Sequence, residues 1–207
     1  MQIQIEKFIT GPIETNTYVV MDENKHCFIV DPSSGCEEIL NYIKKNDLFP
    51  ESIVITHCHF DHIIGISEIK ELYPHISVYV HPLEATMLRS PEMNGSVMIG
   101  FEFTYTEPVV DLIEGPMDIG SFKVNVIVVP GHSPAGTAIY IEKYLLCGDI
   151  LFAGSVGRSD LVGGDERKLL TGIREKLLPL PGDTIVCPGH GGRTTIAREK
   201  RENPFLF

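Results

Sequence analysis

The sequence predicts an α/β fold of two similar halves, in which two β-sheets pack face to face with helices on their outer faces. Two patterns predict it. Each half of the chain opens on short β-branched segments joined by tight polar turns, and each continues into stretches with helical apolar spacing. Several of the apolar segments also end abruptly in a His or an Asp, which places reactive side chains at strand ends. No close internal repeat relates the halves. The 207 residues suit one domain spanning 1–207, and 43% hydrophobic residues are enough to bury its core.

Taken in order, Ile3, Ile5 and Phe8 open a strand. Thr17–Met21 and Cys27–Val30 flank the polar turn Asp22–Glu23–Asn24–Lys25 and read as a hairpin. Asp31–Pro32–Ser33–Ser34–Gly35 ends it. A helix should cover roughly Cys36 to Asp47, with Ile39, Leu40 and Ile43 inward. Ser52–Ile53–Val54–Ile55 is a buried strand, and a helix carrying Ile63, Ile66, Ile69 and Leu72 follows. Ile76, Val78 and Val80 alternate as another strand. Pro82 suits the first turn of a helix through Leu83–Leu88. From Ser90 to Pro108 scattered Pro, Gly and aromatic residues read as a long loop or lid near the site.

The second half repeats the rhythm. Phe122, Val124, Val126 and Val128 form a strand; Thr137–Ile141 and Tyr144–Cys147 form a hairpin turning at Glu142–Lys143. Asp165 can cap a helix to about Leu178. Thr184–Cys187 is a last strand and Thr194–Arg201 a last helix.

Composition bounds the function. A formal net charge of -11 is the wrong sign for a nucleic-acid partner, and the one basic stretch, Arg193–Arg201, is diluted by Glu199. No apolar run reaches the roughly 18 residues of a membrane span. The start of the chain lacks the basic and apolar regions of a secretory signal. Five Cys without regular spacing argue against a disulfide framework, so a reducing, cytoplasmic setting is expected.

The chemistry sits in Thr56–His57–Cys58–His59–Phe60–Asp61–His62. Three His and an Asp within six residues have no common packing purpose, whereas imidazole and carboxylate together suit zinc, iron or manganese. Three more candidates each follow an apolar strand and a glycine: His132 after Gly131, Asp149 after Gly148, and His190 after Gly189. Five His and two Asp fit two metals with one carboxylate shared. Cys58 should point away from its neighbours, and His26, His75 and His81 fall outside the pattern.

This spacing, His-x-His-x-Asp-His followed by a His, an Asp and a late His, resembles the metallo-β-lactamase superfamily over nearly the whole chain. The resemblance implies an αββα sandwich with the site at one edge. It implies that His57, His59 and His132 hold one metal and Asp61, His62 and His190 the other, with Asp149 bridging. Asp61 and Asp149 become the catalytic carboxylates, and the cofactors two divalent ions, zinc first, with iron or manganese also suited. Cys147–Gly148–Asp149–Ile150–Leu151–Phe152, Gly157–Arg158–Ser159–Asp160 and Pro188–Gly189–His190–Gly191 further resemble the small glyoxalase II-like hydrolases. Those enzymes cleave the thioester of a 2-hydroxyacyl-glutathione, so the expected partner is a small molecule.

The departures are on the glutathione side. Too few residues follow His190 for the helical C-terminal domain of glyoxalase II. Arg158 stands near the family's glutathione-binding Lys, Asp160 where a substrate-binding Tyr is found, and Gly192 where another Tyr is found. Arg158 can grip a substrate carboxylate with its planar fork, or it can pair with Asp160 or Asp165. The rival reading is a persulfide dioxygenase, which resembles the same segments and uses one iron at positions matching His57, His132 and Asp149. Flavodiiron proteins carry Glu where this chain has His59. Nucleases of the superfamily add a large inserted domain. A binding module that kept the fold would tend to have lost ligands.

Overall fold

The β-branched runs pair as their alternation requires. The computed structural model describes residues 2–207. Strands β1 (Gln4–Thr10), β2 (Thr15–Met21) and β3 (His26–Val30) form an antiparallel meander, with Thr10 opposite Thr15 and Met21 opposite Cys27. Helix α1 (Glu37–Lys45) leads to β4 (Phe49–Val54), and α2 (Phe60–Ile63) with α3 (Ile66–Leu72) leads to β5 (Ser77–Val80). Helix α4 (Pro91–Asn94) precedes β6 (Val110–Asp111). Strands β3 to β6 are parallel, and the sheet runs in sequence order β1 to β6.

The second sheet has the order β14-β13-β10-β9-β8-β7. Strands β7 (Gly115–Ile119), β8 (Phe122–Val128), β9 (Thr137–Ile141) and β10 (Tyr144–Gly148) form its meander. A small hairpin, β11 (Leu151–Phe152) and β12 (Ser155–Val156), follows Asp149. Helix α5 (Glu166–Gly172) runs on through a wider turn, Ile173–Leu177. Then β13 (Ile185–Pro188) joins β10 in parallel, β14 (Thr194–Thr195) pairs with β13, and α6 (Ile196–Glu202) ends the fold.

Alternation sorts the side chains into three layers. Tyr18, Val20, Phe28 and Val30 face Phe122, Val124, Val126 and Ile139 between the sheets. Their neighbours Val19, Met21, Cys27 and Ile29 face outward onto Ile39 and Ile43 of α1 and Ile66 and Ile69 of α3. On the far side, Ile127, Val129, Leu145 and Cys147 meet Leu169, Ile173 and Leu177. This is the αββα sandwich. Because both faces of each central strand are covered, all of β2 is buried and reads as an unbroken run rather than an alternating one. Truncating Ile39 or Ile69 to Ala would cost roughly 2–5 kcal/mol.

Three expectations need correction. The helix after the His-rich stretch is two, α2 and α3, broken at Gly65. There the chain passes so close to the loop after β3 that a Cβ would stand 2.1 Å from the Ser33 carbonyl oxygen. The helix expected over Leu83–Leu88 is a series of tight turns ending in a 3-10 turn, Met87–Arg89. Glu84 is drawn inward while Leu83 stays exposed, so the segment has no continuous apolar face. The last helix starts at Ile196, where the Thr195 hydroxyl accepts from the Arg198 N–H and caps it. Asp165 caps α5 as expected, accepting from Lys168 N at 3.0 Å. The Ser90 to Pro108 region holds α4 and a 3-10 turn, Ser96–Ile99. No helix among the described residues is long and apolar enough to cross a membrane.

Candidate metal centre

Parallel strands present their carboxyl ends at one edge of a sheet, and that edge is where α/β folds place ligands. Here both sheets contribute to the same edge. His57 follows β4; His132 follows β8, Asp149 follows β10 and His190 follows β13. Thr15, at the start of the antiparallel β2, reaches the same place and bridges to His190. All seven side chains singled out from the sequence converge there.

They fall into two trios. His132 Nε2 lies 3.0 Å from His59 Nδ1 and 3.2 Å from His57 Nε2. Asp61 Oδ2 lies 3.1 Å from both His62 Nε2 and His190 Nε2. Asp149 stands between: its Oδ2 is 3.6 Å from His132 Nε2 and 3.7 Å from His190 Nε2, and its Oδ1 is 3.6 Å from His62 Nε2.

Surrounding groups set which ring nitrogen is bare. Thr56 Oγ1 donates to Asp31 Oδ2 at 2.6 Å, so it can accept from His57 Nδ1 at 3.2 Å. His62 Nδ1 faces Asp31 Oδ2 at 3.0 Å, and His132 Nδ1 faces the Arg158 carbonyl oxygen at 2.7 Å. His57 and His132 therefore carry their proton on Nδ1 and turn an Nε2 lone pair into the cluster, and Asp31 likewise holds a proton on His62 Nδ1. Thr15 Oγ1 donates to Asp61 Oδ2 at 2.9 Å and fixes that carboxylate.

Electrostatics divide the trios. Burial pushes His57 well below its ordinary range, with His62, His132 and His59 adding to the effect. Burial, with His132 and His62, pushes His59 down to about 3, and it lowers His132 against the pull of Asp149. Three neutral imidazoles with converging lone pairs result. The second trio is ionic. Burial opposes the charge on Asp61, but His62, His190 and His57 hold it far below the carboxylate range. Burial likewise opposes protonation of His62, and Asp61, Asp149 and Asp31 overcome it.

The residues fit divalent metals. Two nitrogens bound to one tetrahedral zinc at roughly 2.0–2.1 Å stand about 3.3 Å apart, close to the spacings in the first trio. His62 Nε2 and Asp149 Oδ1 are buried without a hydrogen-bond partner, each facing the cluster. Two buried carboxylates, Asp61 and Asp149, converging on one nitrogen need positive charge beside them, which a proton on His62 supplies in part and a divalent metal supplies in full.

Two supporting carboxylates escape sequence reading. Asp31 looked like turn punctuation, yet it binds Thr56 N, Thr56 Oγ1 and His62 Nδ1 at once. Glu84, fully buried, accepts from Cys58 N at 3.0 Å, Ser133 Oγ at 2.6 Å and Ala135 N at 2.7 Å. It ties the loop between His57 and His59 to the loop after His132. Only the Asp-Pro pair after a strand hinted at Asp31; nothing in the sequence pointed to Glu84. Cys58 is buried in the outer layer beneath α3, away from the cluster, and burial raises its thiol well above the ordinary range.

Two glycines are dictated by close approach. Gly148 has φ of +47°, and a Cβ there would meet Thr56 Oγ1 at 2.1 Å. At Gly189 a Cβ would stand 2.2 Å from Asp149 Oδ1. Arg158 takes the second of its two expected roles. Its guanidinium pairs with both oxygens of Asp160, at 2.7 and 2.8 Å, rather than with Asp165. A cleft leads from the cluster to solvent, lined by Ile13, Met93, Met98, Leu161 and Val162 as well as Arg158.

Comparison with known proteins agrees with this geometry. The model of the metallo-β-lactamase superfamily matches residues 10–190. The chain is 42% identical to a probable metallo-hydrolase of Bacillus subtilis over 201 residues, covering 95% of this chain and 94% of that one. It is 30% identical to the hydroxyacylglutathione hydrolase GloC of Haemophilus influenzae, covering 99% and 98%. Among solved structures it resembles the B3 metallo-β-lactamase BLEG-1, with a TM-score of 0.93 and 40% identity over 98% of this chain and 99% of that one. A second, solved in a di-iron-bound form, gives a TM-score of 0.86 and 35% identity over 97% and 100%. The chain therefore belongs to the metallo-β-lactamase superfamily, as a metal-dependent hydrolase.

Proposed function

We propose that this protein is a binuclear metal hydrolase that cleaves a thioester. His57, His59 and His132 hold one metal, Asp61, His62 and His190 hold the other, and Asp149 bridges them. The observation that carries this reading is the Asp149 carboxylate, which lies 3.6 Å from a nitrogen of each trio. The likeness to a hydroxyacylglutathione hydrolase supports the thioester, and the di-iron-bound relative supports two metals. Zinc and iron both suit the donor set.

Metals at these positions would supply Lewis acidity and a water acidic enough to attack at neutral pH. The protein's part is positional. Asp61, its carboxylate fixed by the Thr15 hydroxyl, would orient the attacking water by accepting a hydrogen bond. The water loses its proton to solvent as the C–O bond forms at the acyl carbon, the C–S bond breaks, and the thiolate leaves through the cleft and takes up a proton from solvent. With the Arg158 fork occupied by Asp160, glutathione is gripped weakly.

Elemental analysis of protein purified without chelator, run beside a thioester and persulfide panel, tests the reading. Two metals per chain and hydrolysis without oxygen uptake are expected. A single iron with oxygen consumption on persulfide would replace this reading with the dioxygenase one.

A further inference from the structure

The cleft beside the cluster is walled by apolar side chains from three separate loops. Ile13 comes from the turn between β1 and β2, Met93 and Met98 from α4 and the turn after it, and Leu161 with Val162 from the loop before α5. Ile13 is 48% exposed, Val162 50% and Met98 78%. Large apolar side chains held in water around one opening mark a surface that is covered when a ligand is present. Methionine suits such a wall, because its flexible thioether fits apolar groups of varied shape.

The charges of the cleft point the same way. Its one guanidinium, on Arg158, is spent on both oxygens of Asp160. Glu92 adds a negative charge to the same wall. Beyond the cluster itself, an anionic group on this wall meets Glu92 and a guanidinium already paired with Asp160, while an apolar chain meets five apolar side chains.

We propose that this cleft receives an unbranched apolar acyl chain, so that the substrate class is a medium-chain acyl thioester of a small thiol. The proposal rests on the thioester reading above and adds the chemistry of the acyl group. The carbonyl sits at the cluster and the chain lies along Ile13, Met98 and Val162.

The test uses the metal-loaded protein and N-acetylcysteamine thioesters with acyl chains of two to eight carbons, beside a glutathione thioester. Full burial of a methylene is worth roughly fourfold, so a cleft open on one side should raise kcat/KM by about twofold per methylene. Met98→Ser and Ile13→Ser should each flatten that slope. A second measurement, calorimetric binding of butanoate and octanoate, reads the cleft without turnover. A rising slope in either measurement, flattened by the substitutions, upholds the proposal. Hydrolysis with no dependence on chain length, and equal affinity for the two carboxylates, overturns it and leaves the thioester reading standing. Tighter octanoate binding with no thioester cleaved upholds the apolar cleft and removes the thioester reading. If no thioester is cleaved and the two carboxylates bind alike, both fall.

Discussion

Removing the Glu84 carboxylate should destabilise the fold more than any exposed substitution. Glu84→Leu keeps a similar volume but leaves the N–H groups of Cys58 and Ala135 buried without acceptors. The Ser133 hydroxyl can rotate to another acceptor, so two orphaned donors remain. At about 1–3 kcal/mol each, the loss is roughly 2–6 kcal/mol. That is a large share of the roughly 5–15 kcal/mol by which such a domain is stable. Glu84→Gln should cost less, because its carbonyl oxygen still accepts from Ser133 and Ala135 and only the bond from Cys58 is lost. Urea unfolding of metal-free protein measures both.

The pH dependence checks the same residue. Burial raises the Glu84 carboxyl above its ordinary value, against the three hydrogen bonds it accepts. The folded state then holds the proton more tightly than the unfolded state. Stability from this group is full below the unfolded value and is lost as pH rises through the folded one. Wild type should therefore gain on Glu84→Gln as pH falls from 7 toward 5. If Glu84→Leu unfolds at the wild-type urea concentration with an unchanged slope, the assignment of Glu84 as the tie between the two loops is wrong.

Other consequences can be measured directly. Asp149→Ala and Asp149→Asn should lose activity by roughly a hundredfold or more and recover poorly in a zinc titration, whereas excess zinc should partly restore His190→Ala. Equal recovery of all three would remove the bridging role. Gly189→Ala should push the new methyl into Asp149 Oδ1 and cut activity by about 100-fold, with a matching fall in metal content by elemental analysis. Asp160→Ala should release Arg158 and raise kcat/KM for glutathione thioesters by about two- to fivefold, the range an exposed ion pair is worth; an unchanged value would show that Arg158 does not reach the substrate.

The candidate site was largely legible before the fold. Four of its residues lie in one heptapeptide, and the other three each end an apolar strand after glycine. The strands were legible too, because β-branched runs covered on both faces leave few polar interruptions. What could not be read depends on contacts distant in sequence. Asp31 meets Thr56 and His62, and Glu84 meets Ser133, only once both sheets exist. Strand β6 has two residues and β7 contains Pro116, so neither carries a periodic signal. The segment after Pro82 has helical spacing in Leu83, Met87 and Leu88, but the three hydrogen bonds to Glu84 outweigh the propensity of so short a helix.

Because His57 belongs to one sheet and His132 and His190 to the other, the gap between the sheets acts as a gauge for the site. Phe28 and Phe122 set that gap, meeting edge to face with ring centroids 4.9 Å apart. A shorter side chain at either position lets the layers slide or close, and the imidazoles move with them. A displacement of about 1 Å can cost a hundredfold in rate. Conservative changes deep in the middle layer should thus behave as enzymatic lesions while the protein stays folded. In a screen scored by activity, such positions would be mistaken for active-site residues although they touch none of them.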